Sequence, residues 1–346
     1  MDIGIPREIK VAESRVALTP EDCKILIDDG NSVFLQSGAG LLAGFSNEEY
    51  QSFGVTLIPD AVELFERSKL IVKVKEPQPE EITRLQAHHI LFCYLHLASD
   101  SKLVDSLQKI GLTAVAFETV KVEETTPLLA PMSAIAGRLS VQIGTRLLHV
   151  EYGGSGVLLG GINSKKEGNV TIIGAGIAGM NALALADGMG AHVHLVDIDG
   201  ERLKHAQAEF PNISTRLSLL ETFEELLPET DLLIGAVYVR GKKAPRVVTA
   251  SQIQVMKKGS VVVDIAIDQG GCIETARPCT HREPAYILYD VIHSAINNLP
   301  AAVPRSASKS LSSAILPFVR QIASNIWTDS LQAGINIKNH KLLIDL

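Results

Sequence analysis

Cysteine, aromatic side chains and positive charge are all in short supply in this 346-residue chain, and each shortage removes a class of protein. Four cysteines, Cys23, Cys93, Cys272 and Cys279, stand without any CxxC spacing, so no disulfide framework or thiol redox motif is written here, and a reducing, cytoplasmic setting is expected. Cys272, Cys279 and His281 form a C-x6-C-x-H run with no recognised ligand spacing and no evident fourth partner, so no metal site is expected. Lys and Arg (32) are outnumbered by Asp and Glu (39), the net charge is −7, and no basic stripe stands out, which disfavours a nucleic-acid partner. A long uninterrupted apolar run is missing too. The longest, Val170 to Ala186, is broken by three glycines and is better explained as a buried strand plus helix than as a membrane span. The start, MDIGIPREIK, carries charges where a signal peptide would have its apolar core, so no secretion is expected.

The chain is rich in small and aliphatic residues. With 46% hydrophobic and 5% aromatic residues, the composition suits α/β layers. The length exceeds what one core usually fills, so two domains are expected. Residues 1–128 alternate short apolar runs with helical patterns: strands are predicted at Asp2–Ile5, Ser32–Leu35, Leu70–Val74, Ile90–Leu95 and Thr113–Phe117. Between the first two lies TPEDCKILIDDG, where Thr19 can cap a helix, Pro20 takes its first turn and Gly30 ends it. A long helix is predicted after Pro131, with Ser133 as its cap and Ile135, Leu139, Ile143 and Leu147 along one stripe, stopping at Gly153 and Gly154. Further strands are predicted at Leu232–Ala236 and Val261–Ile265. After Pro304 a helical pattern contains Pro317, where a kink or break is expected.

The most informative stretch runs from Asn169 to Asp197. NVTII supplies a β-branched strand, GAGIAG opens a helix through Met180 to Met189, and HVHLVD resumes a strand that ends in Asp197, 18 residues after Gly179. In a dinucleotide-binding βαβ unit Gly174 permits the tight turn, Gly176 lets backbone approach a pyrophosphate at the helix N-terminus, and Gly179 lets helix and strand pack closely. Asp197 would accept hydrogen bonds from the adenosine ribose and repel a 2′-phosphate, favouring NAD over NADP. An empty glycine turn, or one that holds FAD, is the alternative.

Ligands of parallel sheets gather beyond the carboxyl ends of the strands. Lys75 ends LIVKVK, His96 ends ILFCYLHLA, and Arg15 lies in the loop after the first strand, so two cations and an imidazole could meet at one crevice suited to a small carboxylate. Arg15 could instead be a surface arginine near Glu8 or Glu13, Lys75 could pair with Glu76 or Glu80, and His96 could be a hydrogen-bonded core histidine. In VVVDIAIDQGGC a strand leads to Asp264 and Asp268 before a glycine pair. The acidic residue there either acts on a proton or orients water, or merely caps the bend.

The segments IGIPREIKVAESRVALTP, SGAGLLAGF, VKVKEP, YLHLA, LLAPMSAIAGRLSVQIGTRLL, GAGIAGMNA, MKKGSVVVDIAIDQGGCIET and NNLPAAVPR, in this order, resemble bacterial alanine dehydrogenase and its relative, the nucleotide-binding part of proton-translocating transhydrogenase. The resemblance implies two doubly wound parallel-sheet α/β domains linked by long crossing helices, a substrate domain of residues 1–128 plus 305–346 and a Rossmann NAD-binding domain of residues 129–304. It implies that Arg15 and Lys75 bind the substrate carboxylate or carbonyl, that His96 serves in acid-base catalysis with Asp268, and that Met132, Ser133 and Ile267 line the cofactor beside the glycine turn and Asp197. It further implies alanine, pyruvate and ammonium as reactants and a homo-oligomer, commonly a hexamer. Ala134 stands where the family usually has glutamate, Ser294 where tyrosine is common, Asn297 to Ala301 replace the commoner ANMPG, and SSAILPF departs from NATLPY.

Overall fold

Apolar β-branched residues open the chain, and Ile3 and Ile5 are both fully buried. The computed structural model describes residues 1–123, 125–163, 167–239 and 243–345. It divides into two compact units, Met1–Met132 with Ala301–Leu346, and Ser133–Pro300.

In the first unit the strands are β1 (Asp2–Ile5), β2 (Ser32–Gln36), β3 (Thr56–Ile58), β4 (Leu70–Val72), β5 (Ile90–Cys93), β6 (Thr113–Ala116), β14 (Ile335–Lys338) and β15 (Lys341–Leu342), in the order β15-β14-β6-β5-β4-β1-β2-β3. β1 to β6 pair in parallel, and β14 and β15 extend the edge antiparallel. Strands buried along their whole length, such as β4, need helices on both faces of the sheet. One of these is Pro20–Asp28: the Thr19 side chain accepts from Asp22 N, Pro20 occupies the first turn, and Gly30 follows with φ +85°. β4 and β5 end two residues before the predicted limits. The backbone N–H groups just beyond them turn from the ladder to carboxylates, Val74 to Glu8 and Leu95 to Glu118.

In the second unit the strands are β7 (Asn169–Ile173), β8 (His192–Asp197), β9 (Ser214–Leu217), β10 (Leu232–Gly235), β11 (Val261–Asp264), β12 (Tyr286–Leu288) and β13 (Val291–Ser294), ordered β12-β13-β11-β10-β7-β8-β9. All pairs are parallel except the edge strand β12. The chain winds outward from β7 in both directions, so the reversal point between β7 and β10 is where such sheets hold ligands.

Three expectations are corrected. The long helix is Ala130–Leu147, so Ser133 lies inside its first turn and is not the cap: Pro131 sits near the start, where its missing N–H costs nothing. It ends at Leu147, before Gly153, and a 3-10 turn, Val150–Tyr152, separates the two. The helix Pro304–Ala323 runs through Pro317 without a break. Leu311, Ile315, Val319 and Ile322 are fully buried along it, and Ser308 and Ser312 Oγ accept the Val16 and Thr19 N–H groups at 2.9 Å, fastening the helix to the loop before the first helix. Among the described residues no helix is long and apolar enough to cross a membrane.

Candidate active site

In the first unit the sheet order makes β5, β4 and β1 neighbours, so the segments that follow them, bearing His96, Lys75 and Arg15, leave the sheet side by side. Arg15 is not a surface residue: it is 3% exposed. Glu13 clasps its guanidinium with both oxygens, Oε1 accepting from Nε at 2.7 Å and from the Arg15 backbone N–H at 3.0 Å, while Nη1 lies 3.0 Å from the Met132 sulfur. Burial works against the charge, but Glu13 outweighs it and holds the guanidinium protonated. A carboxylate that shares this arginine is therefore oriented by a group whose own plane is already fixed.

Lys75 is half-buried, and its backbone N–H lies 3.4 Å from Glu8 Oε2. The other lysine of the strand end, Lys73, was not singled out from the sequence. It is wholly buried between Glu8 (3.2 Å) and Glu81 (3.0 Å). Burial pulls the Lys73 ammonium down, yet its two carboxylates carry it well above its ordinary range. Burial raises the Glu8 carboxyl, with Lys73 opposing. Lys73 thus ties the β1 and β4 strand ends together beneath Lys75. Above them Glu76 bonds Lys10, bridging the same two loops, and burial of Glu76 is outweighed by that bond, leaving its carboxyl below the usual range.

His96 is not a core histidine, since its side chain is 46% exposed. Its ring stacks on Tyr94, centroids 5.8 Å apart and planes within 8°. Tyr94 is anchored from below by its hydroxyl, which donates to Leu128 O at 2.6 Å, and burial pushes that phenol well above its ordinary range. The exposed imidazole thus rests on an anchored aromatic ring.

In the second unit Gly174 turns the chain after β7 with φ +104°, and its N–H donates to Val196 O at 2.7 Å. A Cβ on Gly179 would stand 1.7 Å from Gly174 O, so helix and strand meet at a distance only glycine allows; a Cβ on Gly176 would meet nothing within 4 Å. That open space adjoins the N-terminus of the helix Ile177–Met189, where orphan N–H groups favour an anion. Asp197 ends β8, is 7% exposed, and accepts from the N–H groups of Ala175 and Asp199. The acid is thereby fixed above the glycine turn, and these residues fit a dinucleotide whose ribose bears free hydroxyls.

Asp264 and Asp268 separate cleanly. Asp264 is buried and accepts the N–H groups of Ala266, Cys272 and Ile273, each at 2.9 Å, so it shapes the bend. Burial pushes its carboxyl up, and these bonds oppose that. Asp268 is exposed on the 3-10 turn Ile265–Gln269, next to Ile267, which is 7% exposed. Ser133 is half-buried at the start of the second unit. Where the pattern departs from the family, Ser294 Oγ donates to Pro284 O at 2.8 Å, and Asn298 takes φ +59° with its carbonyl facing His281. The sulfurs considered as ligands have separate partners, Cys272 toward Asp264 and Cys279 toward Arg277 O.

Comparisons with known proteins agree over the whole length. Residues 4–136 match the family profile described as alanine dehydrogenase/PNT, N-terminal domain, and residues 140–344 that of its C-terminal domain. Alanine dehydrogenases of Halomonas elongata and Bacillus subtilis are each 43% identical, over 99% and 98% of this chain and 94% and 92% of theirs. A solved L-alanine dehydrogenase superposes with a TM-score of 0.96 at 43% identity, covering 99% of this chain and 97% of that one. A transhydrogenase from Sinorhizobium meliloti, 23% identical with a TM-score of 0.86 over 99% and 98%, shares the fold. This chain belongs to the alanine dehydrogenase/PNT family.

Proposed function

We propose that the protein catalyses the reversible conversion of L-alanine, NAD and water into pyruvate, ammonium, NADH and a proton. The observation that carries the proposal is the adjacency of β1, β4 and β5, which sets a clasped arginine, a lysine and an exposed imidazole at neighbouring strand ends in a chain whose other unit bears the glycine turn and Asp197. The first unit would be the substrate domain and the second the NAD domain.

The turn of Gly174, Gly176 and Gly179 would take the pyrophosphate, Asp197 the adenosine ribose, and Met132, Ser133 and Ile267 the nicotinamide side. Bound NAD supplies the acceptor for the hydride on the substrate Cα. Arg15 and Lys75 bind the substrate carboxylate or carbonyl. His96 takes a proton from the water that attacks the imino carbon and returns it to the departing nitrogen. Asp268 orients that water and balances the positive charge on nitrogen.

The test is an assay following NADH with ammonium and a panel of 2-oxo acids. Pyruvate should be turned over best. If a larger 2-oxo acid or an amine other than ammonium is preferred, the substrate is a different amino or opine-type acid. We further propose that the active form is a cytoplasmic homo-oligomer, a hexamer as the resemblance implies. Light scattering of the purified protein tests the assembly, and a monomer mass would refute it.

A further inference from the structure

Glu118 has no place in the chemistry above, yet it holds the backbone turn on which His96 stands. It stands on the 3-10 turn Phe117–Thr119 after β6, the strand beside β5, with its side chain 16% exposed. Its carboxylate accepts the Leu95 N–H, with both oxygens at 3.1 and 3.2 Å, and also the His96 N–H. Consecutive N–H groups converging on one anion are the mark of a backbone nest, normally built around a ligand. Here the anion is the protein's own. The turn it occupies places His96 at φ +50°, in the left-handed region that residues with side chains visit uncommonly, Asn, Asp and His more than the rest. The same carboxylate lies 4.0 Å from His96 Nδ1, too far for a hydrogen bond, so its hold on His96 is through the backbone.

We propose that Glu118 is the positioning residue of His96: by accepting the Leu95 and His96 N–H groups its carboxylate holds the left-handed turn that aims the ring. This rests on the proposed alanine reaction. A residue that acts only through His96 should be felt in turnover rather than in binding. Carboxylates that orient metal-bound histidines cost about 10- to 100-fold when removed, and a loss of that size in kcat is expected for Glu118→Gln, with pyruvate KM and NADH Kd within about threefold of wild type. Glu118→Asp, which keeps the charge, should recover part of the loss.

The deciding experiment is the cycle of His96→Ala, Glu118→Gln and the double variant, with kcat, pyruvate KM, NADH Kd and Tm measured on the intact protein. With the imidazole gone, Glu118→Gln should lower kcat no further. Losses that add fully in the double variant, or a Glu118→Gln enzyme with wild-type kcat, overturn the proposal. If Glu118→Gln does not fold, the same cycle is run with Glu118→Asp. A well-folded wild type that binds NADH but turns over no alanine overturns the functional proposal first, and is distinguished from both by the parent enzyme alone.

Discussion

Two glycines three residues apart should respond oppositely to the same methyl group. In Gly179→Ala the new carbon would lie 1.7 Å from Gly174 O, whereas ordinary contact begins at 3.4 Å, so helix and strand must separate by as much again. Overpacking of this kind costs about 1–3 kcal/mol, and at roughly 2–4 °C per kcal/mol for a domain this size Tm should fall by about 2–12 °C. In Gly176→Ala the carbon meets nothing, and the backbone there, φ −81° and ψ −173°, suits any residue. The unliganded fold should then be unharmed or gain about 0.4–1 kcal/mol from the stiffer unfolded chain. The methyl nevertheless fills the open space at the helix N-terminus assigned to the pyrophosphate, and NADH should bind at least about tenfold more weakly, roughly 1.4 kcal/mol. Thermal melting and fluorescence titration with NADH read both effects. Wild-type NADH affinity in Gly176→Ala would remove the glycine turn as the pyrophosphate seat, and an unchanged Tm in Gly179→Ala would refute the close approach.

Other consequences follow from single side chains. His96→Ala should lower kcat by about 10²- to 10⁴-fold while leaving Tm near wild type, because the ring is exposed; full turnover would remove it from acid-base work. Arg15→Lys cannot reproduce the two-oxygen clasp to Glu13, so Tm should fall and pyruvate KM rise; an unaltered KM argues against carboxylate contact. In Asp197→Ala the N–H groups of Ala175 and Asp199 lose their acceptor, so NADH affinity should fall by a few kcal/mol at most, about 1–3, and discrimination against NADPH should relax; unchanged cofactor preference excludes the ribose role. Burial pushes the thiols of Cys23, Cys93 and Cys272 well above their ordinary range, so all three should resist a thiol reagent at neutral pH until the protein is denatured. Rapid labelling of the native protein would contradict their placement.

Strands β1, β2, β4 to β8, β10 and β11 were legible in the sequence because they carry short apolar or β-branched runs, as at Leu70 and Val261. Strands β3, β9, β12 and β15 were not, since they are short and partly exposed, and in β13 and β14 His293 and Asn336 interrupt the apolar run although both strands are largely buried. The glycine turn and its acid were legible because they lie within one βαβ unit. What the sequence hid is the support of the site. Glu8 reaches Val74 across 66 residues, Glu118 reaches Leu95 across 23, and Ser308 reaches Val16 across 292, and no local spacing encodes such pairs. Asp264 and Asp268 were ambiguous for a different reason: both follow the same strand, and only the three N–H groups folded onto Asp264 assign it to the bend.

The central claim is that hydride moves from the substrate Cα to NAD. L-alanine deuterated at Cα, incubated with the wild-type protein and NAD, tests it most directly by mass spectrometry of the product nucleotide. NADH carrying one deuterium, formed in step with pyruvate and ammonium, is the result expected. Unlabelled NADH, or none from a protein that binds NAD, would contradict it.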